Sequence, residues 1–320
     1  MQLGTLAAIL DNPSTDISTG PVPFSIDPER TVVVAGRPVY CFADGSRHRH
    51  EPTIRSFSEE WKKFDRFTEQ DIRIAGDEYF DIVPRSLLHR GALVLDMGCG
   101  SGRWTRYLSG KVGSIDAVDP SEAIFTAAAA HQDLANVRWS QAGLDPIPFN
   151  DGTFDLVICL GVLHHVPETG EALARLARKV KRGGHLLIYL YYDLENRGRI
   201  YRSIFQLTEL LRKVIINLPL PLRSMVSSAI AFLVYLPMRT IVRLARAMDR
   251  RKRWWHLLPL SYYHNKSMRI MRNDSLDRFG TPLEERSSRK KIEEMMGRAG
   301  LTDLRFSTEP PYWHVLATRN

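Results

Sequence analysis

Residues 93–104 read Leu-Val-Leu-Asp-Met-Gly-Cys-Gly-Ser-Gly-Arg-Trp, and this stretch decides the fold. Its apolar start predicts a buried strand, and the residues after Gly102 predict a helix that carries Trp104 and Tyr107. Between them, glycine recurs at every second position. Because glycine has no side chain, backbone N–H groups in such a loop can approach a ligand closely. The stretch therefore predicts a ligand-binding loop at the carboxyl end of a strand.

Two carboxylates near this loop indicate the kind of ligand. Asp96 precedes the glycines, where it would repel a pyrophosphate but attract the cationic amino end of an amino-acid-bearing ligand. Asp119 ends the next predicted strand, Ser114–Val118, and a carboxylate there accepts hydrogen bonds from ribose hydroxyls. The glycine spacing is also tighter than the dinucleotide fingerprint, so a dinucleotide is disfavoured.

The rest of the core alternates strands with helices. Further strands are predicted at Val137–Trp139, Phe154–Leu160 and His185–Tyr192, with helices at Ser121–His131 and Glu168–Lys181. Continuous apolar strands joined by helices predict an α/β fold whose parallel sheet is covered on both faces. The pattern is interrupted at residue 193 and resumes with a helix and two strands, predicted at Arg289–Ala299, Leu304–Ser307 and Trp313–Thr318.

Taken together, these motifs resemble the class I S-adenosylmethionine-dependent methyltransferases. The resemblance rests on Val94–Trp104, Asp119, the Pro148-Phe149 to Phe154-Asp155 approach and the Gly183-Gly184 turn, and it covers about residues 90–192 and 289 onward. It implies a Rossmann-like fold with a seven-stranded sheet whose last strand is antiparallel. S-adenosylmethionine would lie over the carboxyl ends of the strands.

The resemblance also implies a set of cofactor-binding residues. Asp96 and Gly98 would hold the methionine end, and Asp119 would hold the ribose. Many relatives have an acid at the end of the third strand for adenine, but the run Ser140–Leu144 has none, so Gln141 or backbone groups would take its place. The expected set is Asp96, Gly98, Cys99, Gly100, Gly102, Asp119, Pro120, Ala142, Gly143 and Leu160.

Methyl transfer to a hydroxyl requires alignment, a dry site and a proton acceptor. His164 and His165 follow the fourth predicted strand, and histidine titrates near neutrality. We expect the catalytic base among these two, with His165 preferred. The alternative is that one ring packs under the cofactor while the other is solvated. Further candidates are Tyr191, Tyr192, Asp193 and His264.

Composition bounds the remaining chemistry. The chain has 320 residues, and its three cysteines, Cys41, Cys99 and Cys159, are far apart and form no CxxC pair. We therefore expect neither a disulfide framework nor a metal site. We expect a reducing, cytoplasmic location. No secretory signal is evident at the start.

The outer parts of the chain divide into three predicted regions. Residues 1–55 contain many turn-forming residues and one strand-like run, Thr31–Val34, and predict a weakly structured segment. Residues 56–192 and 289–320 form the core, which begins with a helical pattern from Ser56 to about Arg90. Aromatic residues mark one face of that pattern, and Ser58 is its expected cap; they are Phe57, Trp61, Phe64 and Phe67.

Residues 193–288 form a predicted helical insertion that is both basic and apolar. Residues 193–272 carry sixteen Lys or Arg against four Asp or Glu, a net charge of +12 within a chain of +8. Two apolar runs, Val214–Leu222 and Ser224–Met238, are interrupted by Arg223 and by prolines 219, 221 and 237, so neither is expected to span a membrane. A stripe of arginines at helical spacing follows, with Ile241, Leu244, Ala245 and Met248 on its opposite side.

The insertion allows two interpretations that are compatible with each other. It is a lid whose apolar face packs on the sheet, or a surface that rests on the inner face of an anionic membrane. Either one favours a small, lipidic or lipid-linked acceptor, including saccharides, that is methylated at a hydroxyl. An RNA methyltransferase and a non-catalytic cofactor-binding scaffold stay open as alternatives. Nucleic acid is the less favoured partner because long apolar runs suit a phosphate groove poorly. The oligomeric state stays open.

Overall fold

A mixed β-sheet forms the centre of the computed structural model, which describes residues 22–43, 45, 50–63, 67–195, 198–249, 254–309 and 311–320. Within these ranges the sheet has nine strands in the order β1-β2-β5-β4-β3-β6-β7-β9-β8. The strands are β1 Arg30–Val34, β2 Arg37–Cys41, β3 Leu93–Met97, β4 Ser114–Asp119, β5 Val137–Gln141, β6 Phe154–Leu160, β7 Val180–Tyr189, β8 Leu301–Phe306 and β9 His314–Arg319. The strands β5-β4-β3-β6-β7 are parallel, and β9 is antiparallel to β7, which confirms the predicted Rossmann-like arrangement and its antiparallel last strand.

The prediction of seven strands was wrong, because the N-terminal region adds a hairpin to the sheet. β1 and β2 join through Ala35-Gly36, both in the left-handed region, and β2 pairs in parallel with β5. Val39 is fully buried there. Residues 22–43 are therefore part of the sheet rather than weakly structured, because the free edge of β5 supplies the hydrogen bonds that a lone hairpin lacks. Residues 1–21 lie outside the described residues.

Helices cover both faces of the sheet. They are α1 Glu51–Lys63, α2 Glu69–Tyr79, α3 Arg103–Ser109, α4 Ala123–Ala130, α5 Thr169–Lys179, α6 Arg199–Ile215, α7 Leu220–Ile230, α8 Leu236–Met248, α9 Met268–Gly280 and α10 Arg289–Arg298. α2, α3 and α4 pack on one face, where Trp104, Ile124 and Leu156 belong to one buried apolar cluster. α5 and α10 pack on the other face, where Leu173 and Val157 belong to a second buried cluster.

The helical region before the glycine loop begins earlier than predicted and is divided. α1 begins at Glu51, so Ser58 lies buried inside this helix and does not cap it. Thr68 caps α2 instead, through a 3.1 Å hydrogen bond from the Asp71 amide to its hydroxyl. The side chain of Trp61 and all of Phe64 lie outside the described residues.

The insertion is helical as predicted, but its apolar runs join into a single helix. A π-helical turn, Ala231–Tyr235, connects α7 to α8, so Leu220–Met248 is continuous over 29 residues and is called the long helix below. Pro237 does not break it, because the π turn already carries the altered hydrogen bonding that proline requires. By length and composition alone, this helix is apolar enough to cross a membrane, which corrects the expectation that no run reaches that length.

The long helix buries a different face from the predicted one. Tyr235 and Val242 are buried with Ala231 and Ala245, whereas Ile241, Leu244 and Met248 are exposed. Tyr235 packs with Ile215, Met271 and Phe279 in a small core that belongs to the insertion itself. This core lies within the insertion. The apolar side chains opposite the arginine stripe, Ile241, Leu244 and Met248, therefore do not pack on the sheet as the lid interpretation expected.

Arg223 holds the helices of the insertion together. Although it was expected to interrupt an apolar run, it is only 9% exposed. Its Nη1 donates to the Gly280 carbonyl at 2.8 Å, and its Nη2 donates to the carbonyls of Ile216 at 2.6 Å and Leu218 at 3.2 Å. One guanidinium therefore satisfies the ends of both α6 and α9.

Replacing Arg223 with Met should lower the free energy of unfolding by about 2–4 kcal/mol, because one buried and two partly buried carbonyl groups lose their donor. Chemical denaturation of the purified protein measures this loss. Lys213→Met, at an exposed position on α6, is the control and should change stability little. Equal losses in the two variants would contradict the assigned role of Arg223.

Candidate cofactor and acceptor site

The glycine loop is tied to the neighbouring strand by its backbone. The N–H groups of Gly98 and Cys99 both donate to the Val118 carbonyl, at 2.7 and 3.0 Å. Gly98 has φ +78°, and a Cβ on it would lie 2.3 Å from a methyl carbon of Val162. Only glycine fits this position, because the backbone conformation and the close approach both exclude a side chain.

Asp96 is buried below this loop with an unsatisfied oxygen. It is 1% exposed, and its Oδ2 accepts a 2.6 Å hydrogen bond from the Thr105 hydroxyl. Its Oδ1 has no hydrogen-bond partner among the described residues. Burial raises the pKa of the Asp96 carboxyl to about 7. An unpartnered buried carboxylate oxygen fits a cationic ligand group.

Asp119 is a second buried carboxylate. It lines a cavity above the glycine loop, which is called the cofactor cavity below. Its Oδ1 accepts hydrogen bonds from the amide and hydroxyl of Ser121, at 2.9 and 2.6 Å. Its Oδ2 accepts one from the Gly100 amide at 2.9 Å. Because a carboxylate oxygen accepts two hydrogen bonds, Oδ2 retains capacity for a hydroxyl donor. Burial also raises the pKa of Asp119.

The predicted cofactor residues divide into two groups in the structure. Those that line the cavity are Gly98, Cys99, Asp119, Pro120, Gly143 and Leu160. The others, Asp96, Gly100, Gly102 and Ala142, lie behind its lining. A Cβ on Gly102 would meet the His131 ring at 2.8 Å, so this glycine serves packing rather than ligand contact. Ala142 is 1% exposed, and its amide donates to the Asp119 backbone carbonyl at 3.3 Å.

Sequence reasoning missed two parts of this cavity. α1 and the residue before it contribute His50, Thr53, Ile54 and Phe57. Asp145 also lines the cavity, and it pairs with Arg175 at 2.7 Å. This acid directly follows Ser140–Leu144, the run in which the sequence has no acid for adenine. The aromatic spacing in α1 indicated a helix but carried no signal that its inner face covers the glycine loop.

His164 is a packing residue, which corrects its prediction as a candidate base. It is 1% exposed, and its ring stacks on Tyr191 with centroids 3.9 Å apart. Burial, followed by the charges of His165 and Arg286, lowers its pKa well below the ordinary value. His164 lines neither the cofactor cavity nor the second cavity described below.

His165 lines the cofactor cavity and connects it to the insertion. It is also buried, so neither histidine is solvated as the alternative expected. Its Nδ1 lies 2.6 Å from the Leu283 carbonyl and therefore carries a proton, while its Nε2 lies 3.4 Å from Asp277 Oδ1. The Tyr191 hydroxyl donates to Asp277 Oδ2. Burial opposes ionisation of Asp277, but hydrogen bonding and charge from His165 in its protonated form hold the pKa of Asp277 below the ordinary value.

The remaining candidates fall in different places. Tyr191 and Tyr192 line a second cavity, described next. Asp193 is exposed and accepts a hydrogen bond from the Glu195 amide. His264 lines neither cavity; its carbonyl accepts a hydrogen bond from Arg243.

A second cavity of about 580 Å³ lies between the sheet and the insertion. Residues of the insertion form most of its wall, and they include aromatic and aliphatic side chains from α6, the long helix and α9. Asp277 and Arg286 are among its few charged groups. It shares wall residues with the cofactor cavity, so the two cavities adjoin; the shared residues are Phe57, Arg103, Trp104, Leu160 and Gly161. The described residues contain no group of three or more His, Cys, Asp or Glu arranged to hold a metal ion.

Residues 95–188 match a family model described as a methyltransferase domain. This range contains the glycine loop, both buried carboxylates and His165. The chain therefore contains a methyltransferase domain over these residues. The domain's cofactor is S-adenosylmethionine, and the unpartnered Asp96 oxygen fits its cationic end.

The curated relatives match about a third of this chain. An uncharacterised methyltransferase of Bacillus subtilis is 29% identical over 107 residues, which is 32% of this chain and 42% of the relative. A ubiquinone biosynthesis O-methyltransferase of Alkalilimnicola ehrlichii is 32% identical over 100 residues, or 30% and 40% of the two chains. Magnesium protoporphyrin IX methyltransferase from Synechocystis PCC 6803, solved with bound SAH, has a TM-score of 0.43 at 18% identity, over 82% of this chain and 94% of that one. The matched part spans less than two thirds of the curated relatives, from 26% to 55% of the lengths of the first three.

We expect S-adenosylmethionine binding to release a proton near pH 6–7. The free Asp96 carboxyl has a pKa of about 7, and a bound cation favours its ionised form, which lowers that pKa. Affinity should therefore rise as pH increases through 7 and then level off. Calorimetric titration in buffers of different ionisation enthalpy measures the released proton.

Asp96→Asn is the matched variant for this measurement. It should weaken binding at least about tenfold and abolish the proton release, because the neutral amide cannot pair with the cation. It should also stabilise the cofactor-free protein at neutral pH, where the buried carboxylate is costly to ionise. Unchanged affinity, or the same proton release from the variant, would refute the role given to Asp96.

Proposed function

We propose that this protein transfers a methyl group from S-adenosylmethionine to a hydroxyl of an apolar, lipid-like or lipid-linked acceptor. The observation that carries the proposal is the second cavity, which is mainly apolar and adjoins the cofactor cavity at Phe57, Leu160 and Gly161. Its volume of about 580 Å³ is within the range of small-molecule sites.

The residues around the two cavities would bind and orient the reactants and exclude water from them. When bound, S-adenosylmethionine supplies an electrophilic methyl group. Asp96 and Asp119 provide carboxylates for its cationic end and its ribose. Phe57 from α1 covers the junction of the two cavities together with Trp104. This cover excludes water, and the shared walls align the acceptor with the cofactor.

The hydroxyl proton would pass to the pair formed by His165 and Asp277. His165 Nδ1 is held by the Leu283 carbonyl, which leaves Nε2 directed toward Asp277 as the site that accepts a proton. The carboxylate then stabilises the imidazolium, and Tyr191 fixes the carboxylate by its hydrogen bond. Charge compensation of this kind lets a buried histidine become a cation.

The comparisons support a hydroxyl acceptor. Several relatives are named ubiquinone biosynthesis O-methyltransferases, among them proteins of Alkalilimnicola ehrlichii and Thiobacillus denitrificans that are 32% and 31% identical over their matched segments. The RNA alternative has less support, because arginines of the basic insertion are used internally. Arg212 and Arg223 donate to backbone carbonyls, and Arg278 and Arg286 pair with Glu284.

His165→Gln should lower methyl transfer about a hundredfold or more while leaving S-adenosylmethionine affinity nearly unchanged, because glutamine cannot accept the proton. The assay follows radioactive methyl groups from labelled S-adenosylmethionine into a total lipid extract. His264→Gln, outside both cavities, is the control and should retain activity. No label in the extract with the unmodified protein would contradict the lipid-like acceptor, and full activity of His165→Gln would contradict the assigned base.

A further inference from the structure

The insertion carries an exposed apolar surface that the proposed chemistry does not use. Among the described residues, thirteen of the seventeen exposed large hydrophobic side chains lie on α6 and the long helix. We call this surface the outer face. Leu207, Leu233 and Met248 are 69%, 76% and 78% exposed. Such a concentration of exposed apolar side chains on two helices is uncommon on a soluble monomer and indicates an interaction site.

The second cavity opens onto the outer face. Ile204 and Leu211 on α6 and Val234 on the long helix are exposed, and the same three residues line the cavity. They therefore form its mouth. An apolar molecule held against the outer face would reach the cavity without crossing water.

Positive charge accompanies the outer face. Residues 193–272 have a net charge of +12, and the rest of the chain is net negative. Lys213 on α6 and Arg243 and Arg246 on the long helix are exposed. Trp254, which follows the long helix, is 46% exposed. Exposed cations and a tryptophan in the same segment as exposed apolar side chains complement an anionic bilayer, where phosphates and acyl chains meet.

The long helix is suited to lie along a membrane rather than cross it. One side is packed within the insertion through Tyr235 and Val242, and the Arg223 guanidinium is bound to the ends of α6 and α9. A helix that crossed the bilayer would have to leave this packing and expose an unpaired arginine to lipid. With its packing kept, only the outer face is free to contact lipid.

We propose that the outer face docks in the plane of an anionic lipid bilayer, and that the acceptor enters from the bilayer through the mouth at Ile204, Leu211 and Val234. The docking is inferred from the outer face alone, whereas the entry of the acceptor rests on the proposed function. The occupant of the outer face is thus a lipid surface rather than a second copy of the chain.

Vesicle flotation with the full-length protein tests the docking. Binding to vesicles of phosphatidylcholine with phosphatidylglycerol should be at least about tenfold stronger than to phosphatidylcholine alone, and high salt should weaken it. The double variant Leu207→Glu with Leu233→Glu should lose binding. Neither residue lines a cavity, so its S-adenosylmethionine affinity should be unchanged. Val33→Glu, at a 70% exposed position on β1, is the matched control and should bind like the unmodified protein.

Three results would overturn the docking. One is absence of vesicle binding, or equal binding by the double variant. Another is resistance of the bound protein to alkaline carbonate, which would indicate a spanning helix. The third is a stable dimer in sedimentation that the double variant dissociates while neither protein binds vesicles, which would make the outer face a contact between copies.

A photoactivatable phospholipid tests the mouth without any methylation assay. With a diazirine on its acyl chain, label should reach Ile230 and Tyr235, which line the cavity inside the mouth. Ile204→Trp with Val234→Trp should narrow the mouth and reduce that label several-fold while flotation persists. Label confined to the outer face, or unaffected by the two tryptophans, would refute entry through the mouth. Because neither readout needs methyl transfer, failure here is distinguishable from failure of the proposed function.

Discussion

The carbonyl oxygen of Val118 accepts hydrogen bonds from Gly98 and Cys99, and the site depends on this junction. It fixes the loop after β3 against the end of β4, and so places Asp96 and Asp119 at the same edge of the sheet. Parallel pairing makes this possible, because the carboxyl ends of neighbouring strands then lie together. The close approach of Gly98 to Val162 connects the same loop to the segment that carries His165.

The site combines apolar strands that stabilise the fold with a buried carboxyl group, Asp96, that destabilises it. Asp96 is buried with one oxygen unpartnered, and its raised pKa shows that ionisation at neutral pH costs free energy in the absence of a cation. Surrounding apolar strands supply the stability that permits this cost. The same burial then makes the carboxylate a strong partner for a cationic ligand, since water does not compete for it.

The insertion completes what the core lacks. The core provides His165, but Asp277 on α9 and the Leu283 carbonyl come from the insertion. The insertion returns to the core through backbone hydrogen bonds, from Glu285 to His164 and from Ser287 to Tyr191, both 2.8 Å. Its inner side thus shapes the chemistry, while its outer side is free for a partner.

The sequence by itself determined the features that are local. The glycine loop, Asp96, Asp119 and the alternation of strands and helices follow from short patterns, because each depends on backbone conformation or periodicity within a few residues. Tertiary structure alone decided that residues 22–43 extend the sheet, that α1 covers the cofactor cavity and that Asp277 meets His165. It also decided which face of the long helix is buried. Periodicity shows that a helix has an apolar face, but the covering of that face depends on packing between residues far apart in the chain.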